Sequence, residues 1–300
     1  MNARTQPVYS YFPGCSLGAT NRAYDISTRN VARVLGLEMV ELEDWNCCGA
    51  TPYMAIDSRR SALLSARNLG ISEKNGRDIV TVCSSCYLVF QKANHQFHDD
   101  PSLRADIQKA LHAGGMDYRG NVRVWHLLEL IVNDLGKEAI ERHVVQPLDG
   151  LKVACYYGCQ LIRPYGEVDD PEFPVLLNRL MEWIGATPVH FGMEAKCCGG
   201  ILMTTQPEIG LDLSGKLLKH ARKAGADCIC TICPLCQMNL EAYQGKITSR
   251  IGENCEIPVL YFTQVLGKAL GLGSDELALR DALTPAEAVL AGKGQGGEHD

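Results

Sequence analysis

The stretch WNCCGA, residues 45–50, shows how the chain is organised, because the same arrangement returns as KCCGG at residues 196–200. Adjacent cysteines make a poor disulfide pair, since their Cα atoms lie closer together than a normal bridge allows. Upstream, 31 residues separate Cys15 from the first pair, and 37 residues separate Cys159 from the second pair. The two halves therefore place a lone cysteine and a Cys-Cys-Gly motif in the same order.

Downstream of each pair the agreement is closer. A gap of 34 residues leads in the first half to CSSC, residues 83–86, and in the second half to CPLC, residues 233–236. The flanking sequences also match: YFPGCSL with CYYGCQL, and NVRVWHLLELIVNDLG with EIPVLYFTQVLGKALG. The repeating unit has about 140 residues, which is far longer than a solenoid repeat. We predict a first domain over residues 7–147, a second over 150–279, and a flexible C-terminal tail over 280–300.

Each half alternates between predicted strands and helices. The strands are short apolar runs that end close to the cysteines: PVYSYF, LEMVEL and DIVTV in the first half, and LKVACYY, ATPVHF and DCICTI in the second. Helical periodicity occupies residues 21–35, 58–69, 174–184 and 210–224, and we expect each helix to end at the glycine that follows it: Gly36, Gly70, Gly185 and Gly225. This alternation predicts an α/β fold with two tandem homologous domains, each a small, mostly parallel sheet flanked by helices.

Composition excludes several classes of function. The net charge is −6 and no block of lysines or arginines is present, which argues against nucleic acid as a partner. The N-terminus lacks a signal-peptide core, and no apolar run approaches the ~18 residues that span a bilayer. We therefore expect a cytoplasmic protein without a membrane span. In a reducing compartment, fourteen cysteines favour metal binding or catalysis over disulfides.

The repeated cysteines are predicted to converge. The carboxyl ends of parallel strands meet at one edge of a sheet, and ligands bind there. We predict metal ligands at all ten repeated positions: Cys15, Cys47, Cys48, Cys83 and Cys86 in the first half, and Cys159, Cys197, Cys198, Cys233 and Cys236 in the second. Gly49 and Gly199 supply the backbone freedom for a turn and leave amides free to approach a cofactor.

The residues alone leave the metal open. Structural zinc and a cubane iron–sulfur cluster each take four protein ligands, so five cysteines per half exceed both. A larger or opened iron–sulfur cluster would use the fifth, or one cysteine per half would simply fill the core. Thioredoxin-like chemistry requires only the C-x-x-C motif and leaves the CCG sites unexplained.

Two complete copies of C-x(31–37)-C-C-G-x(33)-C-x-x-C resemble the tandem CCG domains of the B subunit of heterodisulfide reductase. The resemblance implies that the five cysteines of each copy bind one noncubane 4Fe–4S cluster, two clusters in all. It also implies a disulfide or sulfur-compound substrate between the clusters, with no catalytic side chain beyond them. The expected partners are two further subunits of such a complex, one ferredoxin-like with iron–sulfur clusters (its C subunit) and one that contains flavin (its A subunit). Bacterial sulfur-oxidation complexes contain similar subunits.

One other function and one other metal content remain open. The chain could be a non-catalytic electron-transfer subunit that links a flavoprotein dehydrogenase to a carrier. Alternatively, one half could hold a working cluster and the other a cubane or zinc. Of the cysteines outside the repeat, Cys228 and Cys230 share one strand face and are expected in the core. Cys155 is also expected to be buried, and Cys255 has no counterpart in the pattern.

Overall fold

The computed structural model describes residues 7–291 and contains two four-stranded sheets, one from each half of the chain. The first sheet has the order β2-β1-β3-β4, with strands β1 (Val8–Phe12), β2 (Glu38–Glu41), β3 (Ile79–Thr81) and β4 (Val124–His126). The second has the order β6-β5-β7-β8, with strands β5 (Lys152–Tyr156), β6 (Thr187–Pro188), β7 (Cys228–Thr231) and β8 (Val259–Tyr261). Every strand pair is parallel, which confirms the predicted α/β fold.

Helices connect the strands in both halves. In the first half they are α1 (Arg22–Val34), α2 (Pro52–Ile56), α3 (Ser58–Lys74), α4 (Ser84–Asp99), α5 (Pro101–Ala113), α6 (Leu127–Glu129) with a π-helical continuation (Leu130–Leu135), and α7 (Lys137–Glu141). In the second half they are α8 (Leu176–Trp183), α9 (Leu202–Thr205), α10 (Pro207–Lys223), α11 (Pro234–Glu241), α12 (Gln244–Ile251), α13 (Phe262–Ala269), a 3₁₀ turn (Leu279–Asp281) and α14 (Glu287–Ala291).

One predicted helix end is wrong. Helix α3 does not end before Gly70 but continues to Lys74, and Gly76 follows it in the left-handed region at φ +64°. A Cβ at Gly70 would lie 2.7 Å from the backbone oxygen of Asp117. This glycine therefore permits close packing inside the helix. Gly36, by contrast, has φ +70° just after α1, as expected of a residue that follows a helix end.

The two halves pack through equivalent helices. Helix α1 of the first half contacts α13 of the second, and α8 of the second contacts the π-helical segment of the first. Tyr24 stacks on Tyr261 with ring centroids 3.9 Å apart, and the hydroxyls of Ser27 and Thr263 lie 2.7 Å apart. One hydrophobic cluster contains buried residues of both halves. This packing fixes how the two sheet edges face each other.

The C-terminal tail predicted over residues 280–300 has to be shortened. Ala286 and Leu290 are only 2% and 1% exposed, and Leu290 belongs to the helix Glu287–Ala291. The buried Glu241 carboxylate accepts hydrogen bonds from the backbone N–H groups of Leu283 and Thr284. Residues up to 291 therefore pack on the second half, and the rest of the predicted tail, 292–300, lies outside the described residues. Among the described helices, none combines the length and apolar character needed to cross a membrane.

Candidate metal centre

Each CCG motif forms a tight turn. Gly49 has φ +83° and Gly199 has φ +94°, both in the region that glycine adopts at little cost. A Cβ at Gly49 would lie 3.2 Å from the Cα of Ser61, and one at Gly199 would lie 3.0 Å from the Cα of Gly210. These positions therefore require glycine for both conformation and space.

A serine of the helix that follows each CCG turn donates a hydrogen bond to the backbone of the turn. The hydroxyl of Ser65 donates to the carbonyl of Cys48 at 2.7 Å, and the hydroxyl of Ser214 donates to the carbonyl of Cys198 at 2.8 Å. Both serines are fully buried, so these bonds fix the turn against its helix. In both halves, therefore, a buried serine bonds the carbonyl oxygen of the second cysteine of the pair.

Each C-x-x-C motif begins a helix, as predicted. Cys83 is the N-cap residue of α4 and Cys233 that of α11, where Pro234 occupies the first turn. Unpaired amides at a helix N-terminus stabilise negative sulfur. The pKa of the Cys83 thiol is well below its ordinary value because the thiols of Cys233 and Cys86 donate to it, with backbone amides adding to the effect.

The loops after the first strands complete the two sites. Gly14 has φ +77°, and a Cβ there would lie 3.2 Å from the sulfur of Cys86. Gly158 has φ +68°, and a Cβ there would lie 3.2 Å from the sulfur of Cys236. The backbone thus reaches the C-x-x-C sulfur in both halves and brings the next residue, Cys15 or Cys159, to the same edge.

The structure brings the ten predicted residues together. The Sγ atoms of Cys48 and Cys86 are 3.1 Å apart, and those of Cys198 and Cys236 are 3.5 Å apart. The thiols of the first half interact with one another in the order Cys15, Cys47, Cys48, Cys86, Cys83. The equivalent order in the second half is Cys159, Cys197, Cys198, Cys236, Cys233. The contact between Cys83 and Cys233 connects the two sets.

Neighbouring thiols shift one another's pKa values in opposite directions. The pKa of Cys47 is lowered to about 2 because the thiols of Cys15 and Cys48 donate to it, and the pKa of Cys197 is lowered to about 2 in the same way by Cys159 and Cys198. The pKa of Cys15 is raised by its hydrogen bond to Cys47 and then by burial. Metal binding replaces such protons, because the ligating form is the thiolate.

The donor set and space suit an iron–sulfur cluster. All five cysteines of the first half line one cavity of about 150 Å³. All fourteen cysteines are free thiols. Within residues 7–291, no group of three or more His, Cys, Asp or Glu side chains has the geometry to hold a metal ion. The thiols of the first half instead surround a space, and in both halves glycine turns let the backbone approach sulfide, so the residues present fit the cluster that the resemblance implies.

The first cavity opens onto the second half. Its wall includes Ile201, Pro234 and Leu235 as well as the five cysteines. Ile201 is 44% exposed although it is large and apolar, and it lies directly after the second CCG turn. The two sites therefore share an apolar boundary at the interface of the halves.

The other cysteines lie in the core or in a connecting loop. Cys155 on β5 and Cys228 and Cys230 on β7 are fully buried, and burial raises the pKa of Cys155 and of Cys230. Cys255 is 1% exposed and lies 3.3 Å from the hydroxyl of Thr248. None of them lines the first cavity.

His126 and Tyr261, the last residues of β4 and β8, lie at the interface between the two halves. His126 is fully buried, its Nε2 lies 3.2 Å from the carbonyl of Val82, and burial lowers its pKa to about 4. Tyr261 accepts a hydrogen bond from the Asn21 amide at 2.6 Å. Neither side chain lines the cavity that the cysteines surround.

Sequence reasoning missed two polar residues beside the second site, Tyr156 and Asn239. The amide of Asn239 donates to the carbonyl of Gly200 at 2.9 Å and lies 3.6 Å from the sulfur of Cys198. Aligning the halves would have revealed both, since Phe12 and Val89 occupy the matched positions.

Comparisons with known proteins agree with this geometry. The family model of the CCG cysteine-rich domain matches residues 9–91 and again 153–241. The chain belongs to the CCG cysteine-rich domain family. Both matches contain a complete set of five repeated cysteines, so the family's unit is the repeat that the spacing predicted.

Several relatives match almost the whole length of this chain. It is 34% identical to the B subunit of a ferredoxin/F420H2-dependent CoB-CoM heterodisulfide reductase from Methanosarcina acetivorans, over 90% of this chain and 91% of the relative. It is 31% identical to the membrane anchor subunit of 8-methylmenaquinol:fumarate reductase from Wolinella succinogenes, over 91% of this chain and 96% of the relative.

A solved structure shares the fold. A hypothetical protein from Helicobacter pylori superposes with a TM-score of 0.72 at 14% identity, covering 94% of this chain and 54% of that chain. This chain thus spans about half the length of the Helicobacter protein. At this identity the likeness concerns the fold alone.

Proposed function

We propose that this chain is the catalytic iron–sulfur subunit of a heterodisulfide reductase-like complex, which reduces or forms the S–S bond of a disulfide or sulfur compound. We assign one noncubane 4Fe–4S cluster to the five cysteines of each half. In the first half these are Cys15, Cys47, Cys48, Cys83 and Cys86, and in the second Cys159, Cys197, Cys198, Cys233 and Cys236. Each set lies within its own proposed domain, residues 7–147 or 150–279.

The observation that carries this proposal is the contact between the two sets. Cys83 and Cys233 interact across the halves, and the first cavity is walled by residues of the second half. Breaking a disulfide requires two electrons, and the two clusters, when bound, would each supply one. The chain's own residues hold the sulfurs, and Ile201, Pro234 and Leu235 would exclude water from the shared gap.

We also propose partner subunits and a cellular compartment for this reaction. The names of the methanogen relatives describe one subunit of a larger enzyme, so we infer two partner subunits, one ferredoxin-like and one that contains flavin. Fourteen free thiols suit a reducing compartment, which supports a cytoplasmic site of action.

A second candidate function is electron transfer without substrate binding. The Wolinella relative belongs to an enzyme whose name describes a menaquinol and fumarate rather than a disulfide. In such a role this chain would link a flavoprotein to a carrier. The same ten cysteines would hold clusters, so only the response to a substrate separates the two functions.

The deciding experiment adds a disulfide to the anaerobically purified chain with its clusters reduced. We would record the electron paramagnetic resonance spectrum with the CoB-CoM heterodisulfide, with a symmetric disulfide and with neither. A new spectrum together with free thiol release supports catalysis at the clusters. An unchanged spectrum with every disulfide tested favours electron transfer, and a chain without about eight irons refutes both.

A further inference from the structure

The two sites differ in polarity at matched positions. Three residues after the last cysteine of each C-x-x-C motif stand Val89 in the first half and Asn239 in the second. Three residues before the first cysteine of each set stand Phe12 and Tyr156. At both positions the second half has a hydrogen-bonding side chain where the first half has an apolar one.

Asn239 places a donor beside a predicted ligand. Its side chain is fully buried, and its Nδ2 donates to the carbonyl of Gly200 at 2.9 Å and lies 3.6 Å from the sulfur of Cys198. Backbone amides reach the equivalent sulfurs in both halves, Cys48 from Ala50 and Cys198 from Gly200. The amide of Asn239 is therefore an additional donor at the second site.

Tyr156 adds polarity to the same site. It is fully buried and its hydroxyl donates to the carbonyl of Lys196 at 2.7 Å. A Cβ built on Gly158 would lie 3.7 Å from this hydroxyl and 3.2 Å from the sulfur of Cys236. The phenol is thus a close neighbour of the second set of thiols.

The two first-half residues matched to Tyr156 and Asn239 are apolar. Phe12 packs edge-on against Trp45 and Phe90, with centroids 5.3 and 4.8 Å away, and Val89 is 2% exposed. Neither side chain can donate a hydrogen bond to sulfur. The first site therefore lacks the side-chain donor to sulfur that Asn239 provides at the second.

The extra donor favours one direction of the redox equilibrium. Hydrogen bonds to sulfur favour the reduced, more negative state of an iron–sulfur cluster. Positive charge does not distinguish the two sites, since Lys196 is exposed beside the second cysteine pair and the Arg67 guanidinium donates to Asn46 beside the first. Solvent opposes the trend at one position, since Cys15 is exposed and Cys159 only half-buried. That difference lies at the edge of the site, whereas the Asn239 amide reaches the buried sulfur of Cys198.

We propose that the two sites have unequal reduction potentials, with the second-half site higher, and that Asn239 is a positioning residue that contributes to the difference. This inference rests on the proposed clusters and deepens the proposed function. One electron from the proposed ferredoxin-like partner would reduce the second-half site first, and the next electron would reduce the first-half site. Each step adds one electron and breaks no bond.

The test exchanges the matched side chains in the cluster-loaded chain. A redox titration followed by electron paramagnetic resonance would compare the unmodified chain with Asn239→Val and Val89→Asn. We expect two separate one-electron midpoints, with Asn239→Val lowering only the upper one and Val89→Asn raising only the lower one. A tenfold change in either reduction equilibrium would appear as a shift of about 59 mV.

Asn94→Val is the matched control. Asn94 lies on α4, is half-buried and donates to the carbonyl of Val122 at 2.8 Å, so its loss should leave both midpoints unchanged. A single shared midpoint, or variants that shift neither, would overturn the inference while the iron content stayed at about eight. If Asn239→Val failed to bind iron, an unshifted lower midpoint in Val89→Asn would still overturn it. An unmodified chain without iron would refute the proposed function instead.

Discussion

Cys83 and Cys233 interact across the boundary between the two halves. Both residues are N-caps of equivalent helices, α11 and α4, and both are buried. Nearby, the hydroxyl of Ser84 donates to the carbonyl of Ile232 at 3.3 Å. The starts of the two C-x-x-C helices are thus the place where the two candidate sites meet.

The separation of the ten thiols into two sets predicts independent iron binding. Replacing Cys48 or Cys198 with alanine removes a buried sulfur from one set only. We expect each variant to lose about four of about eight irons, and the double variant to lose nearly all. Iron and sulfide analysis after anaerobic purification measures this.

Cys255→Ala is the control for that experiment. Cys255 is equally buried but lies in the loop near Thr248, so the iron content should stay unchanged. If Cys48→Ala removed all the iron, the two halves would not bind metal independently.

The CCG turn predicts a cost for alanine at Gly199. A Cβ there would combine an unfavourable φ of +94° with a 3.0 Å approach to the backbone of Gly210. Gly225→Ala is the control, because Gly225 has φ +74° but nothing within 4 Å of its Cβ. We expect about 1 kcal/mol of destabilisation from the control, as left-handed backbone costs other residues, and clearly more at Gly199. Urea unfolding measures both, and equal losses would show that space at the turn is unimportant.

The interface between the halves depends on a buried amide. Asn21 is 5% exposed and donates to the hydroxyl of Tyr261 at 2.6 Å and to the carbonyl of Pro234 at 3.2 Å. Asn21→Ala leaves these acceptors unpaired, so we expect a loss of about 1–3 kcal/mol in the free energy of unfolding. Asn30→Ala, which removes an exposed bond to the carbonyl of Glu276, should cost less than about 0.5 kcal/mol. Similar effects of the two variants in urea unfolding would contradict this assignment.

The buried His126 predicts a pH-dependent stability. Its pKa is about 4 in the folded protein, below the ordinary 6.5, because burial disfavours the charged ring. Between these values the unfolded chain binds a proton that the folded chain does not, so stability is lost as the pH falls from about 6.5 towards 4. The full effect is about 3 kcal/mol. His126→Gln should flatten this part of the stability curve, and parallel curves for the two proteins would show that His126 is not responsible.

The sequence was sufficient to predict that the five cysteines of each half come together in space. The strand ends of a parallel sheet meet at one edge, and the repeat places cysteines at those ends in both halves. The contact between Cys83 and Cys233 could not be predicted, since it depends on how α1 packs against α13. Gly70 was misread because a glycine inside a helix and one after it look alike until the neighbouring Asp117 is known. Burial of Leu290 likewise depends on a tertiary contact that local composition does not show.

We propose that each half holds its own cluster and that the two clusters face each other. The most direct measurement is X-ray diffraction at the iron absorption edge from anaerobically grown crystals. We predict two groups of four iron peaks, one beside Cys48 and one beside Cys198, with the contact of Cys83 and Cys233 at their boundary. A single group held by sulfurs from both halves, or one isolated metal ion per half, would contradict the claim.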